Sequence, residues 1–168
     1  MVIGIAGIEG DEELLMAVLN SSPISNGTVA DELVDETDGR TWLRNHDLKD
    51  SPEEWRRLVE ARELLWEVVR GQETPAALGD LIRDTHYVPT ATPEGLSWHL
   101  ESPPGREAAA RIVIAWDDVS RRLPGRLRSC ANPECRLFLL DRSKNNTGRW
   151  CSMAVCGNRM KARRHHAR

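Results

Sequence analysis

Residues 130–168 read CANPECRLFLLDRSKNNTGRWCSMAVCGNRMKARRHHAR and contain every cysteine of the 168-residue chain. Cys130, Cys135, Cys151 and Cys156 form two C-x4-C pairs separated by 15 residues. Each pair can deliver two thiolates from one tight turn, and the insert is long enough to bring the two turns together. The spacing therefore predicts one structural Zn²⁺ held tetrahedrally, since four thiolates leave no open position for water or substrate. Two disulfides would need an oxidising compartment, and a redox pair would prefer C-x-x-C beside a βαβ pattern. An iron–sulfur cluster is compatible with four cysteines but is not favoured by this spacing. So few apolar residues cannot build a sufficient core, so metal would supply much of the folding free energy, roughly 10–16 kcal/mol for comparable fingers.

Within the insert, Arg136 to Leu140 is a strand candidate and residues 143–148 a hairpin tip, with Trp150 returning a second strand to Cys151. Trp150 is expected to cover the metal site. Beyond the last cysteine, Gly157 allows close approach of the chain to the metal turn, and Asn158 is placed to cap a helix running to the C-terminus. That helix is basic, with Arg159, Lys161, Arg163, Arg164 and Arg168. Lys161, Arg163 and Arg164 are candidates for phosphate contact. Arg159 is assigned either to nucleic acid or to donation toward a zinc thiolate.

The run Trp150-Cys151-Ser152-Met153-Ala154-Val155-Cys156-Gly157-Asn158-Arg159, with Cys130-Ala131-Asn132-Pro133-Glu134-Cys135 and Phe138-Leu139-Leu140-Asp141 upstream, resembles the bacterial CGNR zinc-finger family. Cys156 to Arg159 is the tetrapeptide that gives that family its name. The resemblance covers about a quarter of the chain. It implies an N-terminal, mainly helical ABATE domain joined to the finger, and a role in stress-induced transcription regulation. Leu14 to Asn20 and Thr41-Trp42-Leu43 are similar to the helical domain's patterns, more loosely.

The rest of the chain is charged in the opposite sense. From residue 121 onward there are 13 Lys and Arg against 2 Asp and Glu, while residues 1–120 carry 10 basic and 24 acidic residues. The overall charge of −3 hides this asymmetry, which suits a nucleic-acid-facing end on an acidic body. No apolar run approaches the ~18 residues that span a bilayer, so no membrane partner is expected. The opening Met1 to Leu15 shows no basic segment and no cleavable signal, which predicts a cytoplasmic protein.

The fold class expected is mainly α: a multihelical domain over residues 1–125 with one small β-hairpin, then a four-cysteine zinc domain over residues 126–168 with its own β-hairpin and basic helix. The glycines at positions 4, 7 and 10 do not form a phosphate loop, and a short strand or loose terminus is expected there. Asp11 is placed to cap a helix through Asn20. The carboxylates of residues 29–38 read as a solvated face, and Thr41 begins a short amphipathic turn ending near His46. Ser51-Pro52-Glu53-Glu54 opens a helix that Gly71 closes, with Trp55, Leu58, Val59, Leu65, Trp66 and Val69 on one face. Thr74-Pro75 starts a shorter helix with Leu78, Leu81 and Ile82 as its apolar residues. Residues 87–90 and 96–100 form the hairpin, and Ser102-Pro103 caps a long helix burying Ile112, Trp116 and Val119.

These features predict a zinc-dependent nucleic-acid-binding protein, a DNA-binding transcription regulator whose helical body senses a small molecule or protein. The alternative is a protein-interaction module, with the finger as a staple and the basic helix docked on an acidic partner or on its own body. No activated nucleophile or open metal site is visible, so an enzyme is not expected. One finger with one helix has a small footprint, which calls for a homodimer or a partner.

Overall fold

The computed structural model describes residues 11–25 and 27–166. The expectation for residues 1–10 lies outside them. Three helices form the heart of the body: α1 (Asp11–Leu19), α3 (Pro52–Arg70) and α4 (Glu107–Arg122). Around them lie the two-residue strands β1 (Ile24–Ser25) and β2 (Thr28–Val29), α2 (Glu36–Asn45), and a 3₁₀ helix over Pro75–Ile82. The hairpin of β3 (His86–Thr92) and β4 (Gly95–Glu101) follows, antiparallel from His86↔Glu101 to Thr92↔Gly95. The mainly helical fold with small hairpins is the one the patterning predicts.

The amphipathic stripes are the reason these helices pack together. Leu15, Val18 and Leu19 of α1, Leu58 and Leu65 of α3, and Ile112 and Val119 of α4 are all buried in one cluster. The α3 boundaries follow local chemistry: Ser51 accepts from the Glu54 N–H at 3.1 Å, and Gly71 sits at φ 72° beyond the last turn.

Several local expectations are corrected. Asp11 lies inside α1, and its carboxylate is held by Arg111 of α4. The segment around Thr41 belongs to a 10-residue helix, because Asp35 caps it by accepting from Thr37 N at 2.9 Å and Asp38 N at 3.0 Å. The carboxylates of residues 29–38 are not simply solvated. Asp31 forks onto the buried Arg62 at 2.6 and 2.9 Å, and Glu32 accepts from Trp42 Nε1 at 3.1 Å. Ser102 does not cap α4. That duty falls to Glu54 of α3, fully buried, whose carboxylate accepts from the Glu107 and Ala108 amides at 3.2 and 3.0 Å. Burial raises the Glu54 pKa despite those two bonds. In the 3₁₀ helix, Leu78 and Leu81 point inward but Ile82 is exposed.

After α4 the chain enters β5 (Leu127–Ser129), which pairs antiparallel with β6 (Phe138–Leu140) in the register Leu127↔Leu140. The finger's hairpin therefore uses the strand before Cys130, not the segment around Trp150. Residues 130–137 form its turn, closed by the Cys130 N–H to Leu137 O bond at 2.8 Å. This hairpin docks on the body through Phe138, which is buried in the same cluster as α1, α3 and α4. Asn20, at the end of α1, holds its backbone on both sides: Phe138 N–H donates to Oδ1 at 2.7 Å and Nδ2 donates to Phe138 O at 3.3 Å. The Phe138 ring lies 6.4 Å from Trp66, whose Nε1 donates to Leu19 O at 3.0 Å.

Gly39 shows how tightly α2 meets α3. A Cβ there would sit 2.0 Å from Trp55 Cδ1, and the indole is pinned by its Nε1–H bond to Leu33 O at 3.1 Å. Gly39→Ala improves helix propensity yet is expected to lower stability by about 1–3 kcal/mol through overpacking, measured by urea denaturation. An unchanged or raised midpoint would show that α2 moves freely over α3.

Candidate metal centre and its basic helix

The four cysteines arrive from two turns. Asn132-Pro133 bends the first, with Cys135 N–H closing it onto Asn132 O at 2.9 Å. In the second, Ser152 caps a π-helical turn over Met153–Gly157 by accepting from Val155 N at 3.3 Å, and Gly157 N–H reaches Ser152 O at 3.0 Å. The two turns are tied by Ala131 N–H to Arg149 O at 2.8 Å. The four Sγ atoms lie within 4.8 Å of one another. Cys135–Cys151 and Cys151–Cys156 are each separated by 3.7 Å. That distance matches the edge of a ZnS₄ tetrahedron, about 3.8 Å for a Zn–S bond of ~2.3 Å, and is far too long for a disulfide.

The electrostatics agree with a cation site. Burial pushes the Cys135 thiol up to about 11. Burial and the neighbouring thiols raise Cys151 further. Burial also opposes ionisation of Cys156, but the Asn132 amide and the other thiols donate to it, and its net shift is downward. Sulfurs this close resist ionising together, and a divalent ion removes that penalty by making each thiolate a ligand. The surrounding donors already point at sulfur. Leu137 N–H bonds Cys135, Cys151 N–H bonds Cys130 and Asn132 Nδ2 bonds Cys156, each at 3.5 Å. The fully buried Asn132 also accepts from Glu134 N at 3.3 Å, so one side chain shapes the first turn and touches a ligand of the second.

Trp150 is half-buried against Gly157, where an added Cβ would lie 3.3 Å from its ring and 3.0 Å from Met153. Gly157 is thus needed for close packing directly after a ligand. Asn158 is not an N-cap: its backbone is helical, at φ −66° and ψ −41°, and its side chain donates back to Ala154 O at 3.1 Å. The basic helix α5 (Asn158–His166) instead continues without a break from the π-helical turn. Arg159, Lys161 and Arg163 on it are exposed. Arg163 pairs with Glu134 of the first metal turn, and Arg159 adds to the positive field there, so both lower the Glu134 pKa. Asn132 is a side-chain donor to a ligand sulfur, the role the sequence offered as one alternative for Arg159. Arg164 belongs to α5, but its side chain is not described, and Arg168 lies outside the described residues.

One hub was missed. Asp141, buried, accepts from Ser143 N at 2.8 Å and Gly148 N at 2.6 Å and pairs with Arg128 at 2.6 Å. Hydrogen bonds from Ser143, then from Gly148, and the Arg128 charge lower its pKa to about 2. Arg128 in turn donates to Gly148 O at 2.8 Å, so the loop 141–148 is wound around one ion pair. A Cβ at Gly148 would stand 2.8 Å from that carboxyl. The signal in the sequence was an Asx turn, Asp141-Arg142-Ser143, with a glycine five residues later.

Residues 126–168 match the CGNR zinc finger family. The match starts at Arg126 and does not extend into the helical body. Comparison with curated proteins finds none that matches this chain. The ligand geometry and this match together make Cys130, Cys135, Cys151 and Cys156 the site of one structural zinc ion.

Two outcomes follow from this geometry. Chelation of zinc is expected to unfold residues 130–157 while α1, α3 and α4 persist, seen as loss of amide dispersion in the finger with shifts at the body residues packed on Phe138; retention of the finger peaks would show that the metal is dispensable. Asp141→Asn should destabilise the finger at neutral pH, measured by thermal denaturation of the zinc form. The carboxylate's contribution is fully present above about pH 4 and lost as pH falls through about 2, because its folded pKa is depressed. Thiolates take up protons at higher pH than that, so acid releases zinc before Asp141 titrates.

Proposed function

We propose that this chain is a zinc-dependent DNA-binding regulator, with α5 as its nucleic-acid-contacting element and the helical body as its sensor. The observation that carries the reading is the placement of α5. Arg159, Lys161 and Arg163 stand exposed on a helix that grows directly out of the metal turn. The ion would fix the direction of that helix, and its cations would meet phosphates. The Glu134 pair orients Arg163 without burying it, so the guanidinium stays available to exchange a carboxylate for a phosphate. Arg164 and Arg168 extend the basic run in sequence.

The sensor role rests on a cleft of about 390 Å³ between α1 and the finger, lined in part by Met16, Asn20, Leu139, Arg142 and Trp150. A small effector seated there would touch both the body and the residue before a zinc ligand. No helix among the described residues is long and apolar enough to cross a membrane. Dimerisation would supply the footprint that one α5 lacks.

A second reading has its own observation. Met153 and Val155 are exposed beside α5, at 57% and 55%. Phosphates have no use for them, whereas a protein partner would cover them. Docking of α5 on its own body is less favoured, since the ion pair of Arg163 is with Glu134 inside the finger.

Fluorescence anisotropy of labelled duplex DNA with the zinc-loaded full chain, across a salt series, tests the proposal. The expected result is binding that weakens with a log–log slope of about −0.9 per phosphate contact, near −4 from the α5 cations, and that disappears on zinc removal. Absence of binding at low salt, or a flat salt dependence, would leave the protein-partner reading.

A further inference from the structure

Three guanidinium groups crowd one indole at the seam between body and finger. Arg62 lies 4.8 Å from the Trp66 ring centroid, Arg136 5.2 Å and Arg70 5.7 Å. Arg70 also stands 5.0 Å over the ring of Phe138. Among the described residues one carboxylate serves this group. Asp31 is taken by both terminal nitrogens of Arg62, and Arg136 reaches it only through the longer-range field. Arg62 Nε, buried, has no acceptor among the described residues. Arg70 and Arg136 make neither an ion pair nor a hydrogen bond among the described residues, and each lies within the field of the other.

Arg70 is exposed and Arg136 half-buried, so water screens their mutual repulsion and keeps both guanidiniums accessible to a ligand. Cation–π contacts with Trp66 and Phe138 hold the two guanidinium planes against the rings. They leave the hydrogen-bonding edges of both guanidiniums unused, and these forks match the oxygens of a phosphate. Arg136 directly follows the zinc ligand Cys135, and Arg70 ends α3 in the body. An anion bridging them would tie the metal turn to the last turn of the body's longest helix.

We propose that Arg70 and Arg136 form a phosphate-binding pair across the seam, taking a backbone phosphate of the nucleic acid that α5 contacts. This rests on the nucleic-acid reading for the source of the phosphate, though a free phosphate compound would meet the same chemistry. The seam would then be a second, body-borne contact, and DNA occupancy would be sensed by α3 as well as by the finger.

The test compares the zinc-loaded full-length chain with Arg70→Gln/Arg136→Gln, Arg70→Lys/Arg136→Lys and Lys161→Gln/Arg163→Gln. Each is titrated with labelled duplex DNA over a salt series, and separately with inorganic pyrophosphate, followed at the arginine Nε–H resonances. The glutamine pair is expected to make the DNA salt slope shallower by about 1.8, or two contacts at ~0.9 each. The lysine pair should restore the slope, because it keeps charge while losing the planar stacking, which separates phosphate contact from a purely structural role. Unchanged DNA slope in the glutamine pair, with binding lost in the α5 pair, would overturn the seam site and leave the nucleic-acid reading standing. If the wild type binds no DNA yet pyrophosphate shifts the Arg70 and Arg136 resonances, the pair is a site for free phosphate compounds and the nucleic-acid reading fails alone. No response to either probe would overturn both.

Discussion

Sulfur atoms 3.7 Å apart in a half-buried turn cannot all carry charge without a cation among them, and the C-terminal quarter is built around that constraint. The consequences spread outward from the four ligands. Asn132 is buried so that its amide can reach Cys156. Gly157 is small so that Met153 and Trp150 can close over the second turn. The chain leaves the last ligand in a π-helical turn that runs directly into α5. Each of these is a local rule bent to serve the metal geometry.

The finger is also not freestanding in its packing. Phe138 sits among the buried residues of α1, α3 and α4, and its backbone is gripped by Asn20. Between Phe138 and Trp66 the apolar contact is continuous across the boundary expected at residue 125. Around it gather Arg62, Arg70 and Arg136. A two-part chain whose parts share a core can pass a change in one to the other by repacking, which a flexible tether cannot do.

Buried charge follows a single pattern across the body. Glu54 caps α4 from inside the core, Arg62 holds Asp31, and Asp11 holds Arg111. Each ties together elements far apart in sequence. Losing one partner would strand a charge or an amide away from water, so these contacts fix the mutual positions of α1, α3 and α4 more than they add net stability.

The sequence by itself determined the zinc ligands, the basic helix, the α3 caps at Ser51 and Gly71, and the β3–β4 hairpin. All of these depend on residues within a few positions of one another, where spacing and turn chemistry act directly. Only the tertiary structure decided what depends on partners distant along the chain. Glu54 reads as part of a local capping box, yet it caps a helix more than fifty residues away. Asp31 reads as solvated until Arg62 is brought beside it by the packing of α3. The strand partner of Phe138–Leu140 turned out to be Leu127–Ser129, because Phe138 had to face the body's core and carry its hairpin with it. Period and spacing report which face of an element is apolar. They do not report which other face it meets, and that choice is made by close packing of the whole.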